Sequence, residues 1–122
     1  EEAMALLADD CIYVLHIPES ALPYGGETRG KAAIRATLLQ MRRDFVDIVH
    51  RTTTLSFANE LVRQRLEFIF RHRSSGQRLS GTGRLVWTVR DGLIVRCEEY
   101  HDGPRLAAFF NLFGREDGNN AT

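Results

Sequence analysis

From residue 46 to residue 102 the chain alternates with a period of two, and it breaks at only three places. Asp47, Val49, Arg51, Thr53, Leu55 and Phe57 alternate against Ile48, His50, Thr52, Thr54 and Ser56. Leu61 to Arg73, Gln77 to Val89 and Leu93 to Asp102 follow in the same style, separated by Asn59-Glu60, Ser74-Ser75-Gly76 and Arg90-Asp91-Gly92. Period two marks strands, and connections this short join antiparallel neighbours. Four long antiparallel strands are therefore expected. A sheet of that length must bury one face. Lys31 to Phe45 can cover it, with Ile34, Leu38, Met41 and Phe45 at helical spacing after Gly30. So can a short helix opened by Asp102-Gly103-Pro104, carrying Leu106, Phe109, Phe110 and Phe113 and ended by Gly114. Gly81 and Gly83 lie inside a long strand and favour a bend. The expected fold is α+β: a curved antiparallel sheet wrapped around helices to form a cone-shaped pocket.

The N-terminal third is less regular. Glu2 to Ala8 has the pattern of a helix end, broken by Asp9-Asp10, and Cys11 to Ile17 that of a short apolar strand. Residues 18–30 hold two prolines and three glycines and are expected as loop. Leu22 and Tyr24 in that loop serve either as a flap over a cavity or as a staple to the core. The 122 residues suit one domain over residues 1–114, with 115–122 a disordered tail. The chain opens at Glu1, so residues upstream of it are expected.

Composition narrows the function classes. Sixteen basic and sixteen acidic residues cancel, which leaves no net field for nucleic acid or an anionic membrane. The basic cluster Arg63, Arg65, Arg71, His72 and Arg73 alternates with Leu66, Phe68 and Phe70, the pattern of a solvated strand face and a charged hairpin tip. No apolar run approaches the roughly 18 residues of a membrane span. Cys11 and Cys97 have no metal-ligand spacing, and neither do the four histidines, so no metal is expected. Buried free thiols fit a reducing, cytoplasmic location.

Hairpin register decides which side chains share a face, because a slip of one residue inverts them all. Three-residue loops set Arg73 opposite Gln77 and Val89 opposite Leu93. One face then carries Arg65, Glu67, Leu85, Trp87, Val95, Cys97, Glu99 and His101. Two-residue loops instead group Leu66, Phe68, Phe70 and Trp87 with Arg96 and Glu98, and a bulge mixes the two. The first assembles the better core around Trp87 and is the expectation. It leaves Glu99 and His101 as the polar continuation of an apolar wall, with Arg65 and Glu67 nearby. Two carboxyls and an arginine in an apolar cup can divide acid and base roles, or form a structural ion pair. Asp102 either caps the last helix or joins the pocket. Trp87, Tyr24, Leu85, Cys97, His16 and Tyr13 are the candidates for contact with a small apolar ligand.

Ala5-Leu6-Leu7-Ala8-Asp9-Asp10 before a strand, Arg29-Gly30-Lys31-Ala32-Ala33-Ile34 opening a helix, and Arg90-Asp91-Gly92-Leu93-Ile94 leading to Glu99-Tyr100-His101-Asp102 carry a resemblance. The chain resembles the SnoaL-like, ketosteroid-isomerase-related proteins of the nuclear-transport-factor-2-like superfamily. That resemblance implies a cystatin-like cone, a homodimer and one further N-terminal helix. It also implies cofactor-independent chemistry of the isomerase, cyclase, dehydratase or epoxide-hydrolase type. Arg65-Leu66-Glu67 looks like the Arg-x-Asp of the epoxide hydrolases, and Glu99 matches the first carboxylate of their Asp-Tyr-x-Asp ending. On that likeness Glu99 is the base, Glu67 the acid and Arg65 their orienting partner. A non-catalytic ligand-binding or dimerisation module built on the same cavity is the alternative.

Overall fold

The computed structural model describes residues 2–17 and 24–109. Leu22, Phe110, Phe113, Gly114 and the 115–122 tail lie outside them. The elements run α1 (Glu2–Ala5), β1 (Leu7–Leu15), β2 (Gly26–Arg29), α2 (Lys31–Asp44), β3 (Phe45–Ala58), β4 (Leu61–His72), β5 (Arg78–Arg90), β6 (Leu93–Tyr100) and α3 (Gly103–Phe109). The six strands form one curved, unclosed sheet in the order β2-β1-β6-β5-β4-β3. Its neighbours are antiparallel except β1 and β6, which run parallel. The architecture is the α+β cone expected from the alternation.

Two local expectations change. Asp9 and Asp10 do not end a helix; they are exposed residues of β1, at an irregularity between Leu7 and Ile12 where the strand shifts register on β6. A bulge leaves residues unpaired and turned to solvent, which accommodates two carboxylates in a strand. Gly26–Arg29, expected as loop, is a short edge strand on β1. Its Gly-Glu-Thr-Arg sequence has no apolar alternation because neither face is fully buried.

Gly30 links that edge to α2. Its φ of 90° is a left-handed conformation that strains any residue with a Cβ. Held there, its N–H donates to Cys11 O at 2.8 Å and its carbonyl accepts the N–H of Ile34 at 3.0 Å. The helix start is thus fixed to β1. At the other end, the Phe45 N–H donates to Met41 O as the backbone turns directly into β3. Ile34 is buried, while Leu38 and Met41 line a hollow between helix and sheet.

Both long hairpins differ from the expected register. Arg71 faces Arg78, so the β4–β5 connection is one residue longer than three, and Gly76 N–H closes it onto His72 O at 2.8 Å. Leu66, Phe68 and Phe70 therefore stand opposite Gly83, Gly81 and Leu79 on the inner face. Arg90 faces Leu93 across the two-residue turn Asp91-Gly92. The next shift, between Val89–Ile94 and Thr88–Arg96, returns Cys97 to Trp87 and Glu99 to Leu85. One slip at the turn and one bulge in β6 cancel, so Glu99 faces inward as expected for a different reason.

The inner face, α2 and α3 enclose the core. Leu15, Ile34, Leu66, Phe68, Leu79, Leu85, Leu106 and Phe109 are among its buried members. Each such side chain contributes roughly 1.5–3 kcal/mol by leaving water. His72, expected near an exposed hairpin tip, is 2% exposed. Its Nδ1 meets Ser75 Oγ at 2.8 Å, and its ring packs 5.2 Å from that of Phe45. The hairpin loop folds back over it and supplies the polar partner that a buried imidazole requires.

Candidate active site

Among the described residues, the inner face and helices enclose a hollow of about 710 Å³. Its floor is largely aromatic and aliphatic: Leu66, Phe68, Phe70 and Leu79 from β4 and β5, with Phe45 at the start of β3. Phe68 and Phe70 stack at 4.8 Å. Two groups of polar side chains interrupt this lining.

The first group lies on β1 and β6. Leu15 faces Glu99 and Tyr13 faces Cys97 in the parallel ladder, which sets the Tyr13 phenol beside the Glu99 carboxylate. Tyr13 is buried, and its hydroxyl lies near enough to the Glu99 carboxylate to interact with it. Burial first, and then the nearby carboxylate, push the Tyr13 phenol far above its ordinary range, so it stays protonated and able to donate. Two residues on, His101 Nε2 lies 3.0 Å from Glu99 Oε2. The Glu99 carboxyl thus has a phenol and an imidazole as partners and keeps about a quarter of its side chain open, 24% against 8% for His101. The His101 ring rests against Gly83, edge-on to Phe68 at 5.5 Å. Among the described residues its Nδ1 is buried without a hydrogen-bond partner.

The second group lies where α2 meets β3 and the β4–β5 loop. Arg42, Asp47, His50 and Arg73 all border the hollow there. Arg73 Nε donates to Arg42 O at 3.0 Å, and the Arg73 N–H to Asp44 O at 2.8 Å, which ties the loop to the end of the helix. Sequence reasoning passed over Arg42, Asp47 and Arg73 as site residues, and also the Leu66-Phe68-Phe70 floor, because the expected register turned that floor outward. The signal was the length of one hairpin loop.

Other expected site residues fall elsewhere. Arg65 and Glu67 are on the convex face, with Arg65 opposite Arg84 and Glu67 opposite Thr82. Glu67 lies 3.6 Å from Arg51 and 3.8 Å from Arg65 in a solvated cluster. They share no cavity with Glu99, so Glu67 and Glu99 cannot divide acid and base roles on one ligand as expected. His16 also faces outward, stacked on Tyr100 at 4.2 Å with its Nε2 3.2 Å from Glu98. Trp87 donates from Nε1 to Gln64 Oε1 at 2.9 Å; like the buried Leu85 and Cys97, it belongs to the wall behind the hollow. Tyr13 and Tyr24 do line it. Asp102 accepts the Arg105 N–H at 3.1 Å and caps α3. Among the described residues, no three His, Cys, Asp or Glu side chains gather as metal ligands.

A sequence model of the SnoaL-like domain matches residues 1–97. The chain belongs to the SnoaL-like domain family. The match ends just before Glu99 and His101. Among curated proteins, none matches this SnoaL-like chain in sequence. Solved structures share its fold. A protein provisionally named an isomerase, from Rhodopseudomonas palustris, superposes with a TM-score of 0.80 at 16% identity, over 94% of this chain and 84% of that one. An NTF2-like protein from Burkholderia xenovorans gives 0.75 at 21% identity, over 86% and 78%. A protein provisionally named a polyketide cyclase, from Pseudomonas putida, gives 0.71 at 18% identity, over 86% and 80%. At these identities the likeness is one of fold. No helix among the described residues is long and apolar enough to cross a membrane.

Proposed function

We propose that this SnoaL-like protein holds a small, largely apolar molecule in the hollow and moves a proton on it, without a cofactor, through Glu99. The observation that carries this reading is the Tyr13–Glu99–His101 cluster, set at one side of a largely apolar cavity. A carboxylate there accepts a proton from a carbon or oxygen acid of the ligand. Tyr13 and His101 hold it in one orientation, so the proton goes to a defined atom. Apolar walls keep water away, so charge developing on the ligand meets these fixed dipoles rather than solvent. Returning the proton to another atom isomerises the ligand; leaving the carbanion to attack an internal carbonyl cyclises it. Two of the structural relatives bear isomerase and cyclase names, which is consistent with either outcome.

The test is proton exchange. The protein is incubated in D₂O with apolar ketones such as 2-tetralone, and loss of the α-proton signals is followed by NMR. Acceleration by the intact protein that disappears in Glu99→Gln supports the reading. Equal rates for the two proteins across the ketones leave a non-catalytic binding module as the function of the same hollow. The fold is also proposed to act as a homodimer in the cytoplasm. Leu55 and Phe57, strongly exposed on the edge strand β3, support association, and sedimentation of the intact chain tests it.

A further inference from the structure

The hollow is electrically polarised. Glu99 stands at one end, and Arg42 and Arg73 stand at the other, with the stacked Phe68 and Phe70 between them. The strand register sets this separation. Glu99 is at the level of Gln64 on β4, through Leu85, whereas Arg73 follows His72 at the far end of the same strand. Among the described residues no carboxylate lies within ion-pair distance of Arg42 or Arg73. Asp47 borders the same end, so two cations meet one anion there.

We infer that the molecule taken into this hollow is an elongated apolar acid whose carboxylate is received by Arg42 and Arg73. This rests on the proposed function and specifies its ligand. Three features favour an anionic group over a neutral polar one. The arginine end has an excess of positive charge, and among the described residues its one bordering carboxylate, Asp47, pairs with neither arginine. Arg73 is anchored through Nε on Arg42 O, which leaves its two terminal amino groups in a fixed fork of the kind that suits a carboxylate. Finally, the Glu99 carboxylate repels an anion from the opposite end, so an acid enters in one sense only. Its apolar terminus is then delivered to Glu99 and its charged terminus is held at the mouth. The simpler role of Arg73 is to close the end of α2, and the experiment separates the two roles.

The probes are 1-pyrenebutyrate and its neutral amide, which share an aromatic body and differ in charge. Binding to the intact protein is followed by pyrene fluorescence. The acid is expected to bind about tenfold more tightly than the amide, in keeping with a pair of partly solvated charge contacts. Arg42→Gln, whose guanidinium forms no internal bond among the described residues, and Arg73→Gln each weaken the acid toward the amide while leaving the amide unchanged. Arg73→Lys keeps a charge and retains part of the preference. Arg65→Gln, which removes an equal charge from the convex face, leaves the ratio at its original value. Equal binding of acid and amide, or a preference that survives Arg42→Gln and Arg73→Gln, overturns the inference while the cavity reading stands. Binding of neither probe overturns the cavity reading and the inference with it.

Discussion

A Cβ atom on Gly83 would lie 2.8 Å from Nδ1 of His101, 2.9 Å from its Cε1 and 2.9 Å from the carbonyl oxygen of Tyr100. The imidazole can approach the sheet closely enough to reach Glu99 only because β5 has no side chain at this point. Gly83→Ala is therefore expected to push His101 and the end of β6 away and to break the 3.0 Å contact with Glu99. Overpacking of this kind costs roughly 1–3 kcal/mol. Gly81→Ala is the contrast: its Cβ would meet Phe68 Cζ at 3.1 Å, where a shift of a few tenths of an ångström in one ring relieves it. Urea unfolding and 2-tetralone exchange on both variants check this. Gly83→Ala should lose stability and exchange together, and Gly81→Ala should lose less of each.

Tyr13→Phe removes one hydroxyl and keeps the buried ring. Tyr13 is 6% exposed, and its hydroxyl is a partner of Glu99. Loss of that interaction is expected to cost about 1 kcal/mol of stability. Its effect on exchange should be larger than its effect on folding, because Glu99 then has His101 alone to orient it. A Tyr13→Phe protein that melts like the original and exchanges 2-tetralone at the original rate would remove Tyr13 from the cluster. Circular dichroism and NMR on one preparation provide both readings.

The sheet itself was legible from the alternation, because burial of one face imposes period two on β4, β5 and β6 whatever the register, whereas β3 alternates although residues 50–58 are exposed on both faces. Glu99 and His101 were legible for a narrower reason: they continue an apolar run that ends in Cys97. Which residues face them was not legible. A four-residue β4–β5 connection and a bulge after Ile94 each move a strand by one position, and neither leaves a mark in local composition. The first exchanged Arg65 and Glu67 for Leu66 and Phe68 on the inner face. His72 was misplaced because its burial depends on Ser75 folding back over it, a tertiary contact. Gly26–Arg29 pairs with β1 through its backbone, to which side-chain periodicity is blind.

The convex position of Glu67 gives a prediction of little effect. Glu67 and its neighbours Arg51 and Arg65 are largely open to solvent, at 45%, 70% and 57% of their side-chain area. Exposed pairs of this kind contribute about 0–1 kcal/mol. Glu67→Gln should therefore leave ketone exchange unchanged and alter stability by roughly 0.5 kcal/mol or less. A tenfold loss of exchange with normal folding would return Glu67 to the site and contradict the register of β4 on β5. The measurement is the same NMR assay beside a urea titration.

Alkaline pH should weaken the fold, and the sign follows from three buried acids. Burial first, then the Glu99 carboxylate, hold the Cys97 thiol and the Tyr13 phenol well above their ordinary values of 9.0 and 10.0. Burial and then Asp10 push Cys11 in the same direction. Below pH about 9 both folded and unfolded chains keep these protons, and the groups contribute their full stability. As pH rises past those ordinary values, the unfolded chain releases protons that the folded chain retains. The unfolded state then binds fewer protons, so stability falls with rising pH. Each group adds a slope of up to about 1.4 kcal/mol per pH unit once the unfolded chain is deprotonated. Urea midpoints measured under reducing conditions at pH of about 8, 10 and 11 should therefore decline progressively. Cys97→Ala, which removes one of the three groups, should start from lower stability because it empties part of the wall, yet decline less steeply over the same range. A flat profile in the original protein, or an equal slope in Cys97→Ala, would mean that the thiol ionises in the folded state as readily as in the unfolded one.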